Sequence, residues 1–593
     1  VTRSPGAGLL RSAHLEWLGL GLLTAVELVL FRRYVDAYVA PFYPVNHDQL
    51  TVLEWAYRGA GVARAHPAEL ASWLSSSDSL RHLHVFKGAL LPVSVLASAG
   101  LLGIGRAAAI LVNFAVLAIG QAAVYRYLRR RFGVACGLLG IGLFLLAGTH
   151  YYWAGGLNDL RRDYLGVVAM GLSYMAVGTY LTRAGTGLTL PGLGLGLAAL
   201  SRTVLLVYWL LTLGVLWSAL AGRRALGPPS ARLDAYTGRS ARLLALVGAL
   251  GCLAIAAEPG RFWRYYGGFR LSVDAVARFG EFGADTLLRQ AVYYPASLIE
   301  HTRPMLVAAC VLAVALVAIR VAEAWARRRP APERAAPPAS APDLRAQLGL
   351  FGLLTLCTMG LLTWYQPSPL AIGCLVIPLV LVLGQATGAL ARPVAGIWML
   401  LAGLIALGLG LGRFAGEMRG PTYPPHPSVA NAATVGRIQT TLHERIRDAG
   451  PAGAPLVTWL LVHDGLNKYV FGILAMERGR PPEIARHNQL PVNDDVPHAE
   501  LLAAVRISDA VVVPVTLEPL PAGAFEYAGN ASVRRSLDAL DAELRAGHEL
   551  VAAGPVVHPG GVAGLWIRKT ESGPTPPTAE EAAWLRGYVK FSE

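Results

Sequence analysis

The sequence predicts a polytopic α-helical membrane protein that carries a small α/β domain behind its last span. Three observations predict it. Apolar residues make up 54% of the 593 residues and charged residues only 15%, with a mean hydropathy of +0.45; ordinary soluble domains carry about a quarter charged residues. Apolar runs of about 20 residues, enough to cross a bilayer as a helix, recur as far as residue 412 and then stop. Behind them, short apolar strands alternate with helical stretches, the pattern of an α/β domain. This composition excludes a soluble enzyme, a disordered chain and a disulfide-stapled secreted scaffold.

The first expected span is 15–31, behind a short arm with Arg3 and Arg11. No small-x-small cleavage site follows it, so it reads as an uncleaved anchor and not as a signal peptide. Ten more are expected at 106–126, 134–149, 164–181, 188–201, 204–221, 242–257, 304–320, 346–364, 370–388 and 394–412. The stretch 89–102 is apolar but short and holds Pro92, so it reads as a re-entrant or surface-lying helix. Orientation follows from the excess of Lys and Arg in cytoplasmic loops. With eleven spans and a cytoplasmic N-terminus, three clusters fall on the cytoplasmic side: Arg126/Arg129/Arg130/Arg131, Arg223/Arg224/Arg232/Arg239 and Arg327/Arg328/Arg329/Arg334. The same parity puts the loops 32–105, 150–163 and 258–303, and everything after about 413, outside. The Pro-Ala segment 330–342 becomes a cytoplasmic linker. The expected domains are a transmembrane module, 1–412, and an extracytoplasmic α/β domain, 413–593.

In that last domain strands are expected at 456–461, 510–515 and 564–567, and helices at 499–505 and 532–546. It holds no cysteine and no phosphate-binding Gly motif. The run Asn493-Asp494-Asp495 is only faintly like a nucleotide-sugar metal motif and reads as a solvated turn. The five cysteines, Cys136, Cys252, Cys310, Cys357 and Cys374, lie in or beside apolar runs without metal-ligand spacing and read as small hydrophobes. A net charge of +14 invites a nucleic-acid reading, but the arginines sit mostly between apolar runs, where they set orientation. No nucleic-acid partner is expected. Only four of the 52 basic residues are lysines, which with heavy Ala, Gly and Leu use looks like GC-rich bacterial coding.

Three groups could carry chemistry. The loop after the first span holds Asn46-His47-Asp48-Gln49 and then a helix-like run with Glu54, Trp55 and Tyr57. A carboxylate at the membrane boundary beside His is suited to general-base work; the bland alternative is that Asp48 caps the helix starting at Gln49–Leu50. The short loop around Asn158-Asp159-Leu160-Arg161-Arg162-Asp163 places two carboxylates and two guanidiniums between two spans. Charges there are expensive and point to function, or else to an ion-pair network in which Asp159 or Asp163 pins Arg161 or Arg162. The third group is basic and aromatic: Arg261-Phe262-Trp263-Arg264-Tyr265-Tyr266, Arg270, Tyr293-Tyr294 and His301-Thr302-Arg303. Such residues form interfacial anchoring belts, yet Arg also grips phosphate bidentately. Arg202, between two spans, is a further outer cation. Glu27, in the first span, reads as a helix–helix hydrogen-bond partner.

In this order the features resemble the GT-C superfamily of glycosyltransferases, which take sugars from polyprenyl-phosphate carriers. The likeness covers residues 10–412 and rests on the first span, the outer-loop Asn46-His47-Asp48-Gln49 and the stretch Lys87-Gly88-Ala89-Leu90-Leu91-Pro92. Gly105-Arg106-Ala107-Ala108, the Arg-rich turn 125–133, the acidic second loop and an outer domain behind the last span complete it. Many relatives carry Asp-Glu or Asp-Asp where this chain has His47-Asp48-Gln49, a departure that bears on the paired-carboxylate site and its metal.

The resemblance implies a GT-C-like fold and an inverting transfer on the outer face of the cytoplasmic (inner) membrane of a bacterium. A polyprenyl-phosphate sugar would be the donor and a cell-envelope glycan, lipid or protein the acceptor. Asp48 matches the base that deprotonates the acceptor, and Asp159 or Asp163 the second-loop acid. His47, Gln49, Arg161, Arg162, Arg202, Arg270, His301 and Arg303 are the expected substrate-binding set. The carboxylates could hold a divalent cation through hard oxygen ligands, metal-independent transfer being the equal alternative. The rival readings are a transporter or flippase of lipid-linked glycans, a glycan ligase of the same fold, and a scaffold. A transporter would want internal repeats and mid-span charges; no convincing repeat exists, and Glu27 is nearly alone as a mid-span charge.

Overall fold

The computed structural model describes residues 5–40, 47–83, 87–152, 156–183, 185–228, 230–260, 283–326, 341–365, 373–391, 396–420, 428–447, 455–461, 463, 465–480, 485–490, 495–519, 528–556 and 560–569. In chain order the helices begin with α1 (Pro5–Tyr38), α2 (His47–Ala65), α3 (Leu70–Ser75), α4 (Ser77–Leu83), α5 (Leu90–Leu102) and α6 (Arg106–Phe132). Then come α7 (Val134–Leu145), α8 (Arg162–Thr182), α9 (Thr189–Ser201), α10 (Val204–Leu226) and α11 (Ala231–Ala257). The helical part closes with α12 (Ala284–Ala326), α13 (Ala341–Tyr365), α14 (Val376–Ala391), α15 (Gly396–Arg419) and α16 (Ser428–Arg447). The rest alternates: β1 (Leu456–Trp459), α17 (Lys468–Glu477), β2 (Arg486–Gln489), α18 (His498–Ile507), β3 (Ala510–Leu517), α19 (Ala528–Gly547), β4 (His548–Pro555) and β5 (Gly561–Arg568).

The chain forms two compact units. One comprises Val1–Val35, Ser76–Ser94 and Ile110–Pro424; the other comprises Asp36–Ser75, Val95–Ala109 and Pro425–Glu593. Among the described residues, nine helices are long and apolar enough to cross a membrane, in α1, α6, α8 and each of α10 to α15, that of α14 taking in the turn before it (Gly373–Leu390). The runs expected at 134–149 and 188–201 are the shorter α7 and α9, of 12 and 13 residues. At 1.5 Å per residue, each rises about 18–20 Å, short of the roughly 30 Å hydrocarbon core. Helix α5, the expected re-entrant stretch, is also 13 residues long.

Between helices in lipid there is little hydrophobic driving force, so small residues that permit close backbone approach do the packing. In the first unit α7 lies along α15 in this way. A Cβ on Gly142 would meet the Ala406 carbonyl oxygen at 2.3 Å, and one on Gly403 the Ala135 oxygen at 2.4 Å. Backbone cannot give way as a flexible side chain can. Gly142→Leu is therefore expected to lower the thermal midpoint of the purified protein by several degrees or to prevent its extraction as a single species. A wild-type melting curve would show that α7 and α15 do not depend on this contact. Elsewhere Gln121 Nε2 donates to Glu27 Oε1 at 2.9 Å between α6 and α1, the helix–helix role expected of Glu27. Trp209 Nε1 of α10 donates to Ser173 Oγ of α8 at 2.9 Å, and a Cβ on Gly194 of α9 would lie 3.1 Å from Ser173 Cα. Helices α8, α9 and α10 thus run up, down and up as neighbours, which returns the start of α8, the end of α9 and the start of α10 to one side.

In the second unit the sheet has the order β2-β1-β3-β5-β4, with β1 parallel to β2 and β3, and β5 antiparallel to β3 and β4. Strand residues alternate between faces. Val511 and Val513 of β3 join Leu501 and Val505 of α18 and Val533, Leu540 and Leu544 of α19 in one core cluster. Trp459 of β1 instead meets Phe471 of α17, which stacks on His443 of α16 with ring centroids 4.1 Å apart. The expected strands and helices of this domain are all present. Sequence reading missed the two edge strands, β2, whose residues Arg-His-Asn-Gln carry no apolar side chain and which pairs with β1, and β4, which pairs with β5. Asp495 is exposed and pairs with Arg535 and Ser532, while Asn493 and Asp494 lie outside the described residues.

His443 is buried, and burial, then Arg478, Arg480 and His487, push its pKa from 6.5 to about 3; burial and Lys468 take His487 to about 4. Both are neutral when folded. Between pH 6.5 and these values the unfolded chain binds more protons, so stability falls on acidification by up to about 1.4 kcal/mol per pH unit per histidine. Thermal midpoints measured from pH 7.5 to pH 4.5 should show that slope, and His443→Gln should reduce it. An unchanged slope in the variant would remove His443 as its source.

Candidate functional site

The charged second loop is built around a turn. Leu157 N donates to His150 O at 2.8 Å and Asp159 N to Gly156 O at 3.2 Å, closing the chain on itself before α8 begins. Asn113, buried in α6, fixes this turn from behind: its Nδ2 donates to Leu157 O at 3.2 Å and to Asp159 O at 2.7 Å. Asn158 Nδ2 donates to Tyr34 Oη at 3.1 Å. Helix α8 starts at Arg162, with Arg161 extended before it and Asp163 in the first turn, where a negative charge complements the helix dipole.

Four of the expected site residues, Asp159, Arg161, Asp163 and Arg202, form two ion pairs, each with a buried carboxylate and a half-buried guanidinium. Asp159 Oδ2 lies 2.9 Å from Arg161 Nε, with the Asp159 side chain fully buried. Asp163 pairs with Arg202, which stands between the end of α9 and the start of α10. Arg162 clamps the segment before α5. Its Nε donates to Gly88 O at 2.7 Å and its Nη2 to Leu83 O at 3.2 Å. Gly88 makes this approach possible: its φ is +109°, and a Cβ there would lie 2.3 Å from Ser201 O. Lys87-Gly88 is thereby fixed beside the end of α9 and within reach of α8, a juxtaposition no sequence period displays. Charges held in a poorly hydrated site interact more strongly than in water, so these pairs hold the loop firmly.

Behind the loop, a small niche partly open to solvent is lined by Tyr34, His150, Tyr151, Leu157, Asn158, Glu417 and Met418. His150, which sequence reading did not single out, is fully buried, and burial pushes its pKa down to about 3. Its Nε2 lies 2.8 Å from Phe144 O and its Nδ1 3.0 Å from Tyr164 Oη. A carbonyl only accepts, so the neutral ring carries its proton on Nε2 and Nδ1 accepts from the tyrosine. Arg413 Nη1 donates to Leu146 O at 2.6 Å, and its guanidinium stands 5.3 Å from the Tyr151 ring centroid.

The remaining expected residues are spread over other elements. His301 is buried in α12 and meets the Tyr152 ring edge-on at 4.9 Å. Arg303, two residues on, is exposed. Arg270 and the aromatic-basic run 261–266 lie outside the described residues. His47 and Asp48 stand in the first turn of α2, so that helix begins before the start at Gln49–Leu50 that capping by Asp48 would give; their side chains lie outside the described residues. Gln49 is buried. Among the described residues no three His, Cys, Asp or Glu side chains gather as metal ligands would.

No protein-family model and no curated relative matches the chain. Among solved structures it is similar to ArnT from Cupriavidus metallidurans bound to undecaprenyl phosphate, at 13% sequence identity and a TM-score of 0.54 over 94% of this chain and 99% of that one. The apo state of the same protein gives a TM-score of 0.52 at 13% identity, over 95% and 100%. The fold is therefore the polytopic, GT-C-like membrane fold expected from the sequence, with its small sheet region at the C-terminal end.

Proposed function

We propose that the chain is an inverting glycosyltransferase that moves a sugar from a polyprenyl-phosphate donor to a cell-envelope acceptor on the outer face of a bacterial cytoplasmic membrane. The observation that carries this reading is the charge-dense loop at the start of α8, where two carboxylates and three guanidiniums gather beside the junction of α9 and α10. A mere turn between spans needs no such charges. The fold adds support, since it is shared with a structure that holds undecaprenyl phosphate. By the eleven-crossing count of the sequence, in which α7 and α9 also pass from one side to the other, a cytoplasmic N-terminus puts this loop, α2 and the C-terminal domain on the outer side.

In the proposed reaction Asp48 takes the proton of the acceptor hydroxyl, whose oxygen attacks the anomeric carbon from the face opposite the phosphate. The bond from that carbon to the phosphate oxygen breaks, and polyprenyl phosphate leaves with the electron pair. Arg202, Arg270, His301 and Arg303 meet the charge of the leaving phosphate, with His47, Gln49, Arg161 and Arg162 completing the substrate-binding set. Asp159 and Asp163 hold guanidiniums in place and position the acceptor. The test is incubation of the purified chain in lipid nanodiscs with radiolabelled undecaprenyl-phosphate sugars and envelope extract, with and without EDTA. Release of undecaprenyl phosphate coupled to labelled acceptor supports the reading, and the EDTA arm reports metal dependence. No turnover with a panel of such donors, together with passage of lipid-linked glycan across the bilayer, would replace it with the flippase reading.

A further inference from the structure

The C-terminal domain is more than an appendage behind the last span. Helix α2, which carries His47 and Asp48 in its first turn, belongs to the same compact unit as the C-terminal sheet. It packs against α17, and the two helices are joined with the start of α6 at one carboxylate. Tyr57 Oη of α2 donates to Glu477 Oε1 at 3.3 Å, and Arg106 Nε of α6 lies 3.1 Å from the same oxygen. Tyr57 is 1% exposed, and the Arg106 and Glu477 side chains are 13% and 15% exposed, so the node is shielded from solvent. Shielding strengthens its charge-assisted bonds. Other contacts hold the rest of α2. Trp55 packs on Trp73, a Cβ on Gly59 would meet the Trp73 ring at 2.8 Å, and Arg64 Nη2 donates to Ala99 O at 2.9 Å.

We propose that Glu477 is a positioning residue: through Tyr57 and Arg106 it makes the C-terminal domain set the placement of α2, and with it the placement of Asp48. This rests on the transferase reading for its consequence in turnover, though not for the mechanical link itself. Tyr57 lies nine residues from Asp48 on one continuous helix, about 13.5 Å along the axis, and a helix transmits a shift at one end to the other. A displacement of about 1 Å at a reacting group can cost on the order of 100-fold in rate. The carboxylate at the end of α17 would thus act on the chemistry without touching the substrate.

The test uses the full-length chain in lipid nanodiscs and two readouts, hydrogen exchange of the 47–65 amides and steady-state kinetics. Glu477→Ala is expected to speed exchange in α2 by about tenfold or more, the effect of losing a hydrogen bond to a charged group. It should lower kcat about 10- to 100-fold and leave the donor KM near wild type. Glu477→Gln, which keeps an acceptor for Tyr57, should recover part of both, and Tyr57→Phe should add little to Glu477→Ala. If Glu477→Ala does not fold, Glu477→Gln and Tyr57→Phe carry the comparison. Unchanged exchange in α2 overturns the link whatever the activity. Faster exchange with wild-type kcat overturns the positioning role. If the wild-type chain transfers no sugar at all, the transferase reading fails, and exchange alone still decides whether Glu477 holds α2.

Discussion

Asp48→Asn is expected to lower sugar transfer by about 10²- to 10⁴-fold, the range that a general base contributes, while leaving the melting curve and elution profile of the protein intact. The substitution keeps size and polarity but removes the group that accepts the acceptor's proton. A second consequence follows from the chemistry. Rescue by acceptors of lower hydroxyl pKa should be larger in the variant than in the wild type, because they need less help in losing the proton. A stability loss equal to that of a helix-dipole change, about 0.3–1 kcal/mol, with unchanged turnover would leave Asp48 with only its place in the first turn of α2.

The Asp163–Arg202 pair gives the second large expectation, and here stability and function separate. Asp163→Asn leaves a largely buried guanidinium without its carboxylate, which costs about 3–5 kcal/mol for a buried pair. The double substitution Asp163→Asn with Arg202→Gln removes both charges and should regain most of that stability. If Arg202 grips the donor phosphate, the double variant should still show a donor KM raised by about 10- to 100-fold, the effect of one hydrogen bond to a charged group. Restored stability with a wild-type KM would confine Arg202 to pinning α8 against the junction of α9 and α10. The Asp159–Arg161 pair behaves differently, since both partners lie on one short segment and their loss disturbs the turn that Asn113 fixes.

Much of the architecture was legible because membrane helices announce themselves by length and apolarity. Every expected run forms a helix, and only the lengths of α7 and α9 differ from a full span. Those two depend on glycine contacts with neighbouring helices, which a hydropathy window cannot see. In the C-terminal domain, β1, β3 and β5 were visible as apolar strands, whereas the edge strands β2 and β4 were not, because pairing with a neighbour and not composition makes them strands. The charges of the second loop were visible as an anomaly, and the alternatives of reactive acids or ion pairs were stated from composition alone. Which arginine meets which carboxylate was not. Arg161 was a neighbour in sequence, but Arg202 reaches Asp163 from 39 positions away across a helical hairpin. His150 and Asn113 gave no signal, since a lone buried polar residue in an apolar run resembles any other until its partners are known.

The sequence by itself determined that this chain lives in a membrane, where its helices lie, and where charge is too expensive to be incidental. These are local properties, set by the transfer free energy of short segments between water and hydrocarbon. The tertiary structure alone decided how those charges pair, that Arg162 ties the Lys87-Gly88 segment to α8, and that the first-loop helix belongs with the C-terminal domain through Glu477. Such contacts join residues tens to hundreds of positions apart. They depend on which backbones can approach closely, and that is a property of the packed molecule.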